Sequence, residues 1–560
     1  MKRLNGLAIL MLAASLLIAP AAARAADSDA KSSGSEASTV ANDLAKLREA
    51  LAEQQRQIAQ QQQEIEALRQ MVSAKQDASA KTDDQQPRLI DAALRAPASP
   101  ARAIDAPAYG GGAQSQAPPK DSPLSVRIGG TEFTPGGFVD FTTFFRSTNL
   151  GSGMSTTFGT VPFNNTIYGH LSEIRLTSQN SRISLKTAGK YGENNVTGYL
   201  EMDFLGNDAA NVFVSTNSHT QRVRHFWLDL KRGKWEILGG QTWSWLTPNR
   251  VGLSAVSTDV ANTINVDPNF QVGMSLTRAA QFRLVYHPNE KWAFGVAVEN
   301  PQQYVGAGEV IYPFQFNAAL GPQFDAANNT ATPNVAPDFI SKVAYDTDFS
   351  GRHLHAEVAG LLTTVKATVV PITGITFEPH TKVGGGVEAA ANVEIVKNYR
   401  VLFNGFYSDG GGRYLLGLGP DVVIRPVAYG LAGYNILPSL VHSGSGVLGF
   451  EAQVSPRTLV AAYYGGAYFQ RNTFQDITSP LVVKPFIGFG GPNSPNSANR
   501  AVQEGTLDLT QTFWKNPQYG AMQLVTQVSY VTRAPWFVAL GAPKNAHLVM
   551  GYVSVRYVLP

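Results

Sequence analysis

RLTSQNSRISLKT, residues 175–187, can be read in two ways, and the choice sets the strand count of everything that follows. Ser178-Gln179-Asn180-Ser181 has the composition of a tight turn joining two short strands, yet the stretch also fits one long strand with a polar middle. The rest of the chain supplies the rule. From about residue 136 onward the sequence falls into sixteen runs in which apolar and polar residues alternate, as in FRLVYH (282–287), KWAFGVAVEN (291–300), HLHAEVAGLL (353–362) and MGYVSVRYVL (550–559). Period two means one wet face and one apolar face. The runs are 137–146, 171–187, 196–204, 220–230, 235–243, 279–287, 291–299, 338–347, 352–362, 382–394, 399–407, 446–454, 457–468, 502–513, 519–531 and 546–558.

Short connections at GKYGENN, KRGK, PNE, TDFSGR, VKN, SP and KNPQ alternate with long ones such as 205–219, 244–278, 300–337, 408–445 and 469–501. All long loops therefore lie at one end of the sheet. With an even strand number and aromatics near strand ends (Trp235, Trp243, Trp292, Tyr345, Tyr399, Tyr557), this is the pattern of an all-β, sixteen-stranded antiparallel transmembrane barrel with short periplasmic turns. Closure satisfies every backbone hydrogen bond in lipid, which explains how an exported chain with no Cys holds together. A turn at 178–181 would shift every later connection to the other side and leave an odd strand count, so one continuous strand is expected. Strict alternation would then put Arg175 on the face of Ile183 and Leu185, so either a bulge intervenes or Arg175 lies above the hydrocarbon. A soluble sandwich or propeller would need the apolar faces to bury one another and offers no reason for the alternation of loop lengths.

Ahead of the barrel, residues 1–25 have Lys2, Arg3, an apolar run and Ala23-Arg24-Ala25, and read as a secretory signal. Without Lys2, Arg3 and Arg24 the 45 basic residues become 42, equal to the 42 acidic ones, so the formal charge gives no sign of a nucleic-acid partner. No later stretch approaches a transmembrane helix. After a short polar lead, 26–38, residues 39–76 carry a heptad seam of Val40, Leu44, Leu47, Leu51, Gln54, Ile58, Gln61, Ile65, Leu68 and Val72. A helix with one apolar face must pack on copies of itself, so this periplasmic α-helical coiled coil is expected to oligomerise, and at ~1.5 Å per residue it makes a rod of roughly 50 Å. Residues 77–135, rich in Ala, Pro, Ser and Gly, read as a flexible linker to the barrel at 136–560.

A bore of this size admits water and small solutes. Alternation points Arg182, Lys186, Arg222, Arg224, Arg283, Arg400 and Arg556 inward, together with Glu201, Asp203, Glu299, Glu357, Glu388 and Glu451, so net lumen charge decides nothing and position must. Arg182, Arg222, Arg224 and Arg283 fall near mid-height on descending strands. The long connection 244–278, which carries Arg250, Asp259 and Asp267, is able to fold inward and narrow the bore. Arginines facing a constriction favour carboxylates, which guanidinium binds in bidentate fashion. The same arginines could equally be neutralised by Glu201, Asp203, Asp259 and Asp267, and HFWLDL (225–230) breaks the alternation beside Arg222 and Arg224. No Ser/His or Asp/His set suggests catalysis, and His353, His355 and Glu357 read as a wet wall rather than a metal site. Trp243 and Trp245 read as girdle anchors more readily than as a sugar track. No enzyme activity, cofactor or metal is expected.

The heptads, SRISLKT (181–187), RVRHFWLDL (222–230) with GGQTWSWLTP (239–248), and the terminal VSVRYVLP (553–560) resemble the DcaP-type porins, trimeric outer-membrane channels with a periplasmic coiled coil. The resemblance implies a homotrimer in outer-membrane lipid of a Gram-negative bacterium that takes up small anions such as dicarboxylates. Pro560 departs from the terminal aromatic usual in outer-membrane proteins, leaving Tyr557 as the assembly signal. The expected function is an anion-preferring diffusion porin. The alternative is an envelope protein whose rod tethers the outer membrane to peptidoglycan or periplasmic proteins, with the barrel as anchor.

Overall fold

The computed structural model describes residues 122–560 except 207–218, 256–260, 262–265, 267–270 and 327–331. The expected signal, the coiled coil and residues 77–121 of the expected linker lie outside the described residues, as do Asp259 and Asp267; the end of that linker is strand instead, since Val126–Ile128 and the first barrel strand from Thr131 precede the expected barrel start at 136. The main sheet has eighteen elements. Val126–Ile128 only folds back on the first barrel strand, and two others run along one edge of it, so sixteen staves remain. They are β1 (Thr131–Arg146), β2 (Glu173–Thr177 and Arg182–Tyr191), β3 (Asn194–Asp203), β4 (Arg222–Arg232), β5 (Trp235–Trp243), β6 (Arg278–Tyr286), β7 (Trp292–Glu299), β8 (Asp338–Phe349), β9 (Arg352–Val369), β10 (Glu378–Val396), β11 (Tyr399–Asp409), β12 (His442–Ser455), β13 (Thr458–Phe469), β14 (Asn499–Asn516), β15 (Gly520–Pro535) and β16 (Ala546–Val558). Each pairs antiparallel with the next, and β16 pairs with β1, Phe138 opposite Val558 through Arg146 opposite Met550. The sheet is closed, and its connections alternate between turns of a few residues and long loops.

Both readings of 175–187 hold a part of the truth. Thr177 faces Thr142 and Arg182 faces Phe138, so four residues of β2 oppose three of β1: one strand containing one extra residue. That residue is absorbed in a small turn, where Ser178 O accepts the Ser181 N–H (3.0 Å), Thr177 Oγ1 accepts the Gln179 N–H (3.2 Å) and Ser181 Oγ accepts the Asp140 N–H (2.9 Å). An odd insertion reverses side-chain parity. Arg175 thus falls opposite buried Phe144, on the inner face, and its Nη2 meets Glu173 at 2.8 Å, while Ile174 and Leu176 face outward.

The outer face is apolar. On the last two staves Val528, Val549, Val553 and Val555 are exposed, whereas the intervening inward residues are buried. Aromatic contacts mark the two edges of this band. At the turn end Trp235 meets Tyr286 (4.8 Å), Trp292 meets Tyr345 (4.6 Å) and Trp514 meets Tyr557 (6.1 Å). At the loop end Tyr407 stacks on His442 (6.4 Å), Tyr468 meets Trp536 (6.1 Å) and Tyr530 meets His547 (6.3 Å). An outward apolar band between aromatic rows is what a membrane-spanning barrel presents. Trp243 does not belong to either row; it is buried inside.

The inner face is less wet than alternation predicts. Toward the loop end it is apolar, with Phe144, Val502, Val531, Leu548 and Met550 in one cluster with Met154, Phe158 and Val161 of the 147–172 loop. The 410–441 connection also holds an unforeseen hairpin, Val422–Tyr429 with Gly433–Leu440, which packs on Val365, Ala367 and Val369 of β9. Strands β9 and β10 therefore run higher than their membrane-facing alternation implied, and the Gln303 and Gln323 amides cap the backbone edge of β9 there.

Deleting one residue from 178–181 should exchange the faces of 173–177 and separate Glu173 from Arg146, a buried pair at 3.1 Å. Breaking such a pair costs ~3–5 kcal/mol. The urea midpoint of the folded, heat-modifiable barrel should fall accordingly, and an unchanged midpoint would show that the bulge does not set register.

Candidate functional site

Strand β4 uses the same device as β2. Glu201 faces His225 but Met202 faces Val223, so Arg224 is an extra residue. This is why HFWLDL breaks the alternation: below the bulge Phe226 and Leu228 point to lipid, and above it Arg222, like Asp203 opposite, points inward. The bulge gathers three expected arginines around two carboxylates. Arg222 grips Asp203 with two bonds (Nε to Oδ1 3.0 Å, Nη2 to Oδ2 2.7 Å). Arg224 bridges Glu201 (2.7 Å) and Asp203 (3.0 Å), and Arg182 Nη1 lies 3.9 Å from Glu201. A fourth guanidinium, which alternation missed, is Arg278. It donates to Val223 O (3.1 Å) and shares the Trp243 ring with Arg224, at 5.3 and 5.5 Å. Four guanidiniums against two carboxylates leave an excess of positive charge on this stretch of wall. The sequence hides Arg278 because it sits at the strand boundary, out of phase with inward Gln281 and Arg283.

The remaining expected residues are elsewhere. Arg283 is buried and braces the loop, donating to Gln281 Oε1 and Trp243 O, both at 2.6 Å, and lying 5.2 Å from the Trp245 ring. Lys186 shares an inner row with Thr134 and Tyr199. Arg400 stands opposite Glu394 and Glu451, seven staves from Arg222 and Arg224 and five from Arg278.

The described residues of the 244–277 connection lie within the bore, 244–255 following β5 and 271–276 against the wall opposite. The loop leaves β5 and reaches the far wall, where Gly273 and Val272 lie so close to Gly446 and Gly465 that a Cβ at either Gly273 or Gly465 would overlap backbone oxygen. The wall carboxylates hold it. Glu299 accepts Trp245 N–H (2.7 Å), Glu357 accepts Asn249 N–H (3.0 Å), Asp346 accepts Gly252 N–H (3.1 Å) and Glu504 accepts Val272 N–H (2.8 Å). Arg250 pairs with Glu451 (Nη1 to Oε2 2.8 Å), and Asn404 Oδ1 accepts Ser275 N–H (3.1 Å). Lys342 closes the set, 2.6 Å from Glu357 and 3.1 Å from Thr247 O. Inward acids that alternation counted as lumen charge are thus acceptors for the loop, because backbone N–H groups carried into a buried setting must find partners. Hydrogen bonds to ionised groups of this kind contribute ~1.5–3 kcal/mol each.

His353 and His355 belong to the same support. His355 bridges Asp346 (2.8 Å) and Glu357 (3.1 Å), and His353 meets Asp348 (3.2 Å). Among the described residues no group of three or more His, Asp or Glu has the arrangement of a metal site. Trp245 is buried against Gly295 and Arg283, which excludes the girdle role expected of it.

No protein-family model and no curated protein matches the sequence. Among solved structures, the outer membrane channel DcaP of Acinetobacter baumannii aligns at 15% identity over 77% of this chain and 98% of its own, with a TM-score of 0.51. The chain has the fold of an outer-membrane porin. The anion-selective porin of Comamonas acidovorans (12% identity, 76% and 99% coverage, TM-score 0.42) and the OmpF of Salmonella typhi complexed with daunomycin (11%, 78% and 100%, 0.39) score lower. At these identities the likeness is one of fold.

Above the loop, the mouth of this porin fold is tied by charges. Arg413 pairs with Asp421 (2.7 Å) and with Asp338, and Asp421 also accepts Tyr304 N–H (3.1 Å), joining the 300–337 and 410–441 connections. In the first of these, burial pushes the Glu309 carboxyl from its ordinary 4.5 up to about 8, against the pull of the Arg533 guanidinium.

Two outcomes follow from this geometry. Replacing Arg250 with Ala leaves Glu451 without its main cation; loss of one partner of a buried pair costs ~3–5 kcal/mol, so proteinase K should cut within 244–277 about a hundredfold faster. Equal cleavage rates would mean that the pair does not hold the loop. For Glu309 the folded carboxyl binds its proton more tightly than the unfolded one, so the associated stability is complete below pH 4.5 and declines up to about pH 8. Protection factors across 300–326, which remove the intrinsic pH dependence of amide exchange, should fall over that window, and Glu309→Gln should flatten the profile; wild-type protection factors already flat would contradict it.

Proposed function

We propose that the chain is an outer-membrane porin through which small hydrophilic anions, dicarboxylates among them, diffuse passively. The observation that carries this reading is the arginine excess at Arg182, Arg222, Arg224 and Arg278 on the wall from which the crossing loop departs. Arg278 also lines a cavity of about 440 Å³ with Gln241, Thr277, Asn300, Gln302, Arg413 and Tyr414, a lining of amide and guanidinium donors. A carboxylate passing here meets in-plane N–H forks, whereas a cation meets repulsion, since Glu201 and Asp203 are already committed to arginines. In this reading the expected acids Asp259 and Asp267, with Arg250, complete the constricting loop.

The same proposal assigns residues 1–25 to an export signal, 39–76 to a periplasmic coiled coil that joins three copies through Leu44, Leu47, Leu51, Ile58, Ile65, Leu68 and Val72, and the stretch from 77 to the first strands to a linker. The heptad seam supports self-association of the rod, the resemblance to trimeric porins sets the number at three, and the polar outer positions of the rod leave room for a cell-wall partner.

Purified protein in a planar bilayer with a salt gradient tests the selectivity. Reversing one charge ~8 Å from a passing ion in water-like surroundings changes its energy by roughly 1 kcal/mol, about fivefold in permeability ratio. Arg222→Glu and Arg278→Glu should each move the reversal potential toward cations by that order. Channels whose selectivity is indifferent to both would remove the cluster from the conduction path.

A further inference from the structure

At the loop end of the barrel, one residue beyond β15, half-buried Trp536 packs on the apolar cluster and donates its Nε1–H to Phe469 O (2.9 Å). Tyr468 meets it edge-on, 69° between planes. Two guanidiniums lie within cation–π distance of the same indole: Arg471 at 5.6 Å and Arg500 at 5.9 Å from its centroid. Arg500 is placed there by a register break in β14, where Asn499 faces Pro535 and Ala501 faces Ala534, so that Arg500 is the unpaired residue between them. Both arginines are exposed, and among the described residues neither side chain has a carboxylate or hydrogen-bond partner. This differs from the inner cluster, where each arginine on the wall is tied to an acid or a carbonyl.

Directly below, Tyr468 and Tyr464 are exposed on the apolar band, with Leu507, Val528 and Tyr530 on the neighbouring staves. The site is therefore a cation pair held on an aromatic plate at the boundary between hydrocarbon and water. Guanidinium is planar and stacks through its face while its N–H groups donate in the plane, so stacking on Trp536 orients both forks without consuming them. An acceptor with three tetrahedral oxygens can take bonds from both at once; a single carboxylate cannot span two forks so well.

Resting on the reading that the barrel spans a membrane with its long loops outward, we propose that Arg471, Trp536 and Arg500 bind the phosphorylated headgroup of a lipid in the loop-side leaflet, whose acyl chains lie along Tyr464, Tyr468 and Leu507. The partner is recognised by phosphate at interface height combined with apolar chains below it.

Native mass spectrometry of the full chain in detergent tests this, with bis-phosphorylated lipid A as probe and a phosphate-free glycolipid of the same chain length as control. Arg471→Gln with Arg500→Gln should weaken binding of the phosphorylated probe at least tenfold and leave the control unchanged. Arg471→Lys with Arg500→Lys should recover only part of it, because ammonium neither forks nor stacks as guanidinium does. Retained binding in the double Gln variant overturns the site, and so does an equal loss of both lipids, which would mark simple apolar adhesion. Displacement by millimolar inorganic pyrophosphate would identify a free-anion site instead and equally overturn it. Heat modifiability reports whether the double variant folds; should it not, the single Gln variants, each expected to lose several-fold, decide the matter. Wild-type protein that conducts in bilayers but ignores the probe sinks only this proposal, whereas failure to insert at all sinks the membrane reading beneath it.

Discussion

Hydrocarbon offers a peptide group nothing to bond with, and closing the sheet answers that for all sixteen staves at once. The join of β16 to β1 leaves no free edge within the band. Once closed, each stave has an outside that must be apolar and an inside that need not be, and every side chain's direction is fixed by parity. Parity is also the weak point of the design, because one inserted residue turns a whole segment inside out. The two bulges, at 178–181 in β2 and at Arg224 in β4, are placed where that reversal serves the bore. Without the first, Glu173 would leave Arg146; without the second, Arg222 and Arg224 could not both reach Asp203.

The inside is not simply solvated space. A loop carried into it brings N–H groups that have lost water, and the wall answers with carboxylates at Glu299, Asp346, Glu357 and Glu504. This division of labour explains why a nearly balanced inventory of inward charges gives a polarised surface. Glu299 and Glu357 face loop backbone and Glu451 faces Arg250, while the arginines around Glu201 and Asp203 outnumber their partners. Charge counted by face and charge available to a solute are different quantities, and the second depends on what the loop has already taken.

That difference marks what was legible in the sequence. Alternation and loop lengths disclosed all sixteen staves, their closure and the inward course of the loop after β5, because those features follow from a two-solvent rule that acts on every residue. Parity breaks were visible only as anomalies: SQNS looked like a turn and HFWLDL like a fault, and only pairing with β1 and β3 shows each to be one residue too many. Partners were invisible altogether. Alternation assigns Glu357 a face but cannot say that Asn249 N–H, Lys342 and His355 converge on it. Arg278 was missed because a strand's first residue has no reliable phase, and Trp243 and Trp245 were misplaced because aromatic residues at a strand end look alike whether they anchor to lipid or fold over the bore. The extramembrane hairpin at 422–440 was lost for a related reason: its apolar residues pack on β9 above the band, where no lipid imposes an outward period.

Arginine appears in two settings here, and the contrast follows from the solvent each one meets. Inside, Arg224 is buried, and a bare guanidinium there would carry a desolvation cost of several kcal/mol; Glu201 and Asp203 offset it, and the surplus falls to Arg222 and Arg278, which are less deeply buried. Outside, Arg471 and Arg500 stand at the level of the aromatic row, where water still reaches them and no carboxylate is needed. A carboxylate beside them would gain little in that high dielectric and would cancel the charge they present on that part of the rim. The same residue is thus neutralised where burial demands it and left open where burial does not, and the places left open are the ones at which an anion can be met.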